Sequence, residues 1–216
     1  MTRQKALILA VLLAALPATA PAAQQGSAPP VAGAATLAEG QLLRGRFEQE
    51  RFLKGFQAPL KSGGTFLLAP GLGLIWRTET PFAVVTVMSP GGFLQEAQGQ
   101  ETMRMPAARL PFMARLYGMM SGALTGDWAA LSDIFSVTRE DGGPGQPWRL
   151  RLEPLKPGDP NMPVRSITVS GTRFVETLEV MKPEGDRDRI TLLDQRLSTT
   201  APTAEEARLL ARPGAP

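Results

Sequence analysis

Chemistry in a chain of this kind would begin with nucleophiles, proton carriers and metal ligands, and few are available. The 216 residues include no histidine and no cysteine. Without them there is no Ser-His-Asp relay, no thiolate nucleophile and no ordinary zinc site. Enzymes built on carboxylates, lysine or Ser-Lys pairs stay open in principle. The carboxylates that stand out are Asp127 and Asp133 near a helix break, and Glu179, Asp186 and Asp188 in or around a hairpin. None has the spacing of a metal loop or an acid–base pair, and Asp186 reads as turn chemistry. Capping and solvation account for them. No catalytic residue, metal ligand or cofactor is assigned. Gly71-Leu72-Gly73 lacks the helix that a phosphate-binding loop requires.

What remains is apolar. Met103, Met105, Met113, Met119 and Met120 gather in or beside one segment. Unbranched thioethers adapt to ligands of irregular shape, and they also serve as ordinary core filler. Phe47, Phe66, Trp76, Phe82 and Phe93 fall on successive expected strands and can converge on one face. That face is either a plain β core or, where neighbours leave it uncovered, a binding groove.

The elements that must position these side chains are mostly strands. A short helical turn is expected from Thr36 toward Leu43. Leu43, Gly45, Phe47 and Gln49 then alternate with Arg44, Arg46, Glu48 and Glu50, the two-residue period of a half-exposed strand. Gly63-Gly64 opens a strand over residues 65–68, which Pro70-Gly71 closes. Residues 73–78 and 82–88 follow, with two shorter strands around Phe93 and over residues 102–105. The period then changes. Met113, Tyr117, Met120 and Leu124, widened by Phe112 and Leu116, describe an amphipathic helix. Residues 128–134 are expected to form a second one, capped by Asp127.

Strands resume with Trp148, Leu150 and Leu152, which alternate with Arg149, Arg151 and Glu153. Residues 163–171, 173–181 and 190–197 complete the set, with a turn at residues 183–186. Thr203 and Glu206 have capping-box spacing before Leu209 and Leu210, so a short final helix is expected. The sum is a mainly β fold with inserted helices: a curved antiparallel sheet, or unclosed barrel, of about eleven strands. So many strands curl rather than stay flat, and a helix pair inserted at about residues 107–134 can cover the concave face as an α-helical lid.

The N-terminus reads as an address. Arg3 and Lys5 precede an apolar run at residues 6–16 (ALILAVLLAAL), and small residues follow to Ala23. This is the layout of a secretory signal peptide, too short for a permanent span of a roughly 30 Å bilayer core. Cleavage after Ala20, Ala22 or Ala23 would lower the net charge from +3 to +1, by loss of Arg3 and Lys5. The expected organisation is a signal peptide at 1–23, a flexible Pro-rich leader at 24–38, one domain at 39–200 and a tail at 201–216. Without cysteine the exported protein cannot itself be lipidated and forms no disulfide. No basic cluster suits nucleic acid, and that partner class is rejected.

With strands and insertion placed, the chain resembles the LolA-type periplasmic outer-membrane lipoprotein carriers, in particular their divergent LolA-like relatives. The matching residues are Gly45-Arg46-Phe47-Glu48-Gln49, then Gly64 to Leu68 leading into Leu74-Ile75-Trp76. Thr80-Pro81-Phe82 follows, Trp76 and Pro81 keeping the family's W-x-x-x-x-P spacing. Gly126-Asp127-Trp128 with Leu131 and Phe135, residues 148–154, and Gly185-Asp186 before Ile190 complete the match. The resemblance implies an unclosed β-barrel with a helical lid that shields acyl chains between two membranes. One departure concerns the Arg-Pro pair that many members carry before the Trp strand, where the Arg helps hold the lid. Here the pair is Ala69-Pro70.

The expected function is therefore a periplasmic, non-enzymatic, monomeric carrier of lipoprotein acyl chains or other lipid-like cargo. Its implied partners are an inner-membrane donor and an outer-membrane acceptor. Alternation and helical spacing assign Phe47, Phe66, Leu74, Trp76, Phe93, Met113, Leu116 and Met120 as lipid contacts. The main alternative is a lipid- or protein-sensing module on the same scaffold. A carboxylate or Ser hydrolase and a purely structural envelope role are the others.

Overall fold

Period-two alternation dominates the chain, and the computed structural model turns it into one sheet. The structure describes residues 37, 40–109, 131–140, 146–158 and 164–214. Eleven strands follow one another: β1 (Leu42–Phe52), β2 (Leu60–Ala69), β3 (Gly73–Thr80), β4 (Val84–Ser89), β5 (Gly92–Ala97), β6 (Gln100–Pro106), β7 (Phe135–Glu140), β8 (Trp148–Pro154), β9 (Ser166–Gly171), β10 (Val175–Met181) and β11 (Arg187–Ser198). Helix α1 (Ala204–Ala211) closes the chain. All pairs are antiparallel, in the order β6-β5-β4-β3-β2-β1-β11-β10-β9-β8-β7. The first and last strands thus meet in the middle, and β6 and β7 are the two edges of an unclosed sheet. The connection between them leaves β6 at one end of the sheet and enters β7 at the other.

Several boundaries depart from expectation. Gly63-Gly64 lies inside β2 rather than before it, because the ladder to β3 shifts register between them. A Cβ on Gly64 would sit 1.8 Å from the Arg77 carbonyl oxygen, so the close approach there admits only glycine. Phe82 belongs to the turn before β4, with 73% of its surface exposed, and does not join the inward aromatic set. Strand β7 was not expected. Leu42 and Leu43 open β1 instead of ending a helical turn. Leu131 is in 3-10 helical conformation and residues 132–134 form a turn into β7, so of the expected second helix only this last part falls within the described residues. The expected lid helix and residues 128–130 lie outside the described residues.

The two faces of the sheet bury separate apolar sets. On the outer face Leu42, Leu67, Ala69, Ile75, Val87 and Leu94 are covered by Leu209 and Leu210 of α1. Burying side chains of this size is worth roughly 1.5–3 kcal/mol each. The capping box read from the sequence is present: Glu206 N–H donates to Thr203 Oγ1 at 3.2 Å, and Thr203 N–H donates to Glu206 Oε2 at 2.8 Å. Ion pairs then pin α1 and the turn after it to the strands. Arg44 grips both oxygens of Glu206 at 2.5 and 2.9 Å, Arg77 meets Glu205 at 2.9 Å, and Arg212 binds Glu96 and Glu101. The Arg44 guanidinium, helped by the Thr203 bonds, holds the Glu206 carboxyl down to about 2.

The concave apolar face as candidate ligand site

The inner face carries the larger apolar set. From β1 it receives Leu43 and Phe47, from β2 Phe66 and Leu68, from β3 Leu74 and Trp76, and from β4 Met88. Register lines these into rows. Met105, Phe93, Met88, Leu74, Leu68, Leu43 and Leu197 are successive partners across seven strands. A second row runs from Gln49 through Ile190, Leu178 and Val169 to Leu150.

Between the rows sits an aromatic stack for which Gly45 makes room. Phe47 faces Gly64 and Phe66 faces Gly45 in the β1–β2 ladder, while Phe66 pairs with Trp76 on β3. The missing side chain at Gly45 lets the Phe66 ring lie across the backbone, where a Cβ would meet it at 2.6 Å. Trp76 stacks on Phe47 with centroids 3.9 Å apart and on Phe66 at 5.9 Å.

Polar groups on this side are few. The Trp148 indole N–H donates to the Thr172 carbonyl at 2.7 Å. Gln195 donates through Nε2 to the Val175 carbonyl at 2.6 Å, while its buried Oε1 has no hydrogen-bond partner among the described residues. At the rim Asp188 is buried between Arg51 and Lys182, each 2.9 Å away. Glu179 pairs with Arg189, and Asp186 accepts the Lys54 amide at 2.9 Å. These carboxylates are occupied by structural bonds. Among the described residues no three Asp or Glu side chains gather as a metal would need.

An unclosed antiparallel sheet with a broad apolar face is the part of the implied architecture that the described residues show; the α1 seal on its other face is an addition to it. The sequence model of the outer membrane lipoprotein carrier protein LolA-like family matches residues 36–212. The chain belongs to that family. Similar solved structures include a LolA superfamily protein from Nitrosomonas europaea at 10% identity, covering 79% of this chain and 91% of that one with a TM-score of 0.39. Another is a putative outer membrane lipoprotein-sorting protein domain from Vibrio parahaemolyticus, at 14% identity, 80% and 92% coverage and a TM-score of 0.37. The MucA/MucB complex of Pseudomonas aeruginosa is similar at 10% identity over 78% of this chain and 56% of that chain, with a TM-score of 0.44. Among curated proteins none matches the chain.

In this LolA-like sheet, five of the eight assigned contacts meet on the inner face. Phe47, Phe66 and Leu74 are buried there, and Trp76 and Phe93 are half-buried against the same cluster. Met113, Leu116 and Met120 lie outside the described residues. Sequence reading missed the other half of the face: Trp148, Leu150, Leu152, Val169, Val175 and Leu192. Their alternation was visible on β8, but only topology puts that strand on the same cluster as β3. Leu131 and Phe135 also join it, at the end of the 107–134 connection. Ala69 lies fully buried on the outer face with the α1 contacts, facing away from the candidate site.

Proposed function

We propose that the protein is exported to the periplasm and carries lipoprotein acyl chains, or other lipid-like cargo, against its inner face toward the outer membrane. The observation that carries the reading is the continuous apolar face on a sheet whose edges, β6 and β7, are not paired to each other. Spreading that seam breaks no ladder hydrogen bond, so alkyl chains can exchange with the protein's own apolar contacts. Phe47, Phe66, Leu74, Trp76 and Phe93 form the fixed wall, and Met113, Leu116 and Met120 the adaptable cover. Gln195 Oε1, buried without a partner among the described residues, offers one acceptor to an amide or hydroxyl of the cargo.

The mechanism is physical. Each methylene removed from water is worth about 0.8 kcal/mol, and the protein contacts given up to admit it offset part of that gain, which permits release. No catalytic role is assigned to any residue. Among the described residues no helix is long and apolar enough to cross a membrane.

Mass spectrometry of lipid that copurifies with the protein tests the reading directly. So does uptake of a fluorescent fatty acid or acylated lipoprotein by delipidated protein, followed by transfer to acceptor membranes. Uptake with transfer is the expected result. Protein that takes up neither ligand refutes the carrier. Retention without transfer favours the sensing module.

A further inference from the structure

The large apolar side chains left exposed are not scattered evenly. Phe56, Leu60, Phe82 and Leu155 all stand at one end of the sheet, where β1, β3, β8 and β10 finish, and Phe56 and Phe82 are 65% and 73% exposed. The turn at 53–59 joins β1 to β2, and that at 81–83 joins β3 to β4. Because β2 pairs with β3, these two Phe-bearing tips are neighbours on the rim. Three of the four apolar residues have a lysine one or two positions away: Lys54 by Phe56, Lys61 by Leu60, and Lys156 by Leu155. Lys54 and Lys156 are exposed and make no ion pair among the described residues. Lys61 meets Glu50 at 3.2 Å from a side chain 73% exposed, a weak bridge. No charge of either sign occurs from Thr80 to Gln95, so nothing acidic flanks Phe82 on its turn. Of the acidic groups at this end, Asp188 is engaged by Arg51 and Lys182, Asp186 sits against the Phe56 turn and accepts the Lys54 backbone N–H at 2.9 Å, Glu79 accepts from Thr65, and Glu184 lies on the neighbouring β10–β11 turn.

We propose that this rim docks on an anionic phospholipid bilayer. Phe56 and Phe82 enter the boundary between headgroups and acyl chains, and Lys54, Lys61 and Lys156 lie against the phosphates. A bilayer fits better than a protein partner because the apolar side chains are spread over three tips, Phe56 and Leu60 on one and Phe82 and Leu155 on the others. A fluid interface accepts separate points of any spacing, whereas a protein would have to supply a matching pocket for each. The inference goes beyond the carrier reading and rests on it only for its purpose, delivery of cargo to a membrane. Docking is measured without cargo and uptake without vesicles, so each can fail alone.

The test is flotation of the full chain with vesicles of phosphatidylglycerol and phosphatidylethanolamine, and with pure phosphatidylcholine. Every variant carries the same N-terminal segment, so the readout is the difference between variants. Wild type is expected to float with the anionic vesicles and to bind phosphatidylcholine more weakly. The Phe56→Ser/Phe82→Ser variant loses about tenfold or more in affinity. Lys54→Glu/Lys156→Glu also binds more weakly, and Leu72→Ser, at the opposite end, binds as wild type. Both rings are solvated, so thermal unfolding of the serine variant should match wild type and exclude misfolding. Undiminished binding of the Phe56→Ser/Phe82→Ser variant would overturn the proposal. So would an equal loss in Leu72→Ser, or equal affinity for phosphatidylcholine.

Discussion

The glycine-supported aromatic stack makes a sharp prediction about Gly45. A Cβ placed there would lie 2.6 and 2.8 Å from Phe66 Cε1 and Cζ, and 2.9 Å from the Leu193 carbonyl oxygen. Carbon atoms in contact prefer about 3.5–4.0 Å, so the ring must retreat by about 1 Å. It has little room, since Phe66 is 3% exposed and stacks on Trp76, which stacks in turn on Phe47. Overpacking of this kind costs about 1–3 kcal/mol. Gly45→Ala should therefore be destabilised by that amount, although alanine is usually the milder residue in a strand.

Phe66→Leu removes the two ring atoms that create the conflict. Alone it should cost about 1–2 kcal/mol through lost burial and stacking. If the ring is the obstacle, the two changes together cost less than their sum, by about 1 kcal/mol or more. Urea unfolding followed by tryptophan fluorescence gives all four corners of the cycle from midpoints at constant slope. Additivity within about 0.5 kcal/mol would refute the reasoning, and would name the Leu193 carbonyl as the barrier instead.

Three further outcomes follow from the packing. The Glu206 carboxyl is held down to about 2, below its ordinary 4.5, so its contribution is complete above pH 4.5 and fades as pH falls toward 2. Hydrogen exchange in α1 should rise across that window, and Glu206→Gln should abolish the dependence at a cost of about 1 kcal/mol, allowing for solvent screening. Trp148→Phe removes the bond to the Thr172 carbonyl and should lower the urea midpoint by the equivalent of about 1 kcal/mol. Asp188→Asn leaves Arg51 and Lys182 facing a neutral group, and should cost about 1–2 kcal/mol at pH 7, measured the same way.

Much of the inner face was legible because parity is a local signal. Leu43, Gly45, Phe47 and Gln49 were read as one side of a strand, and β1 places Leu43 and Phe47 inside while Arg44 reaches α1 on the other side. The final helix was equally plain, since a capping box needs only four consecutive residues. Local punctuation misled where tertiary geometry overrode it. Gly63-Gly64 looks like a turn but serves a register shift, and Phe82 looks like the start of a strand but crowns a turn. The outer seal was not legible at all. Arg44 and Glu206 are 162 positions apart, and nothing near Leu209 says which face of which strands it will cover. The second half of the candidate site shares this difficulty: Leu150 and Trp76 belong to one cluster only because β1 and β11 pair at the centre.

That central pairing also divides the labour between the faces. Directional bonds concentrate on the outer side, where a capped helix and ion pairs from Arg44, Arg77 and Arg212 fix one arrangement of β1 to β6 against the C-terminal segment. The inner side is held chiefly by dispersion and burial, which depend weakly on orientation and tolerate exchange of one alkyl group for another. A change of contents on the inner face therefore need not disturb the outer clasp. Edges β6 and β7 are the strands farthest from the β1–β11 centre, so the widening that the proposed carrier requires would leave that ladder intact. For the carrier proposed above this matters more than affinity. Cargo held by contacts of the same kind and strength as those it displaces can be taken up and surrendered with a small net change in free energy.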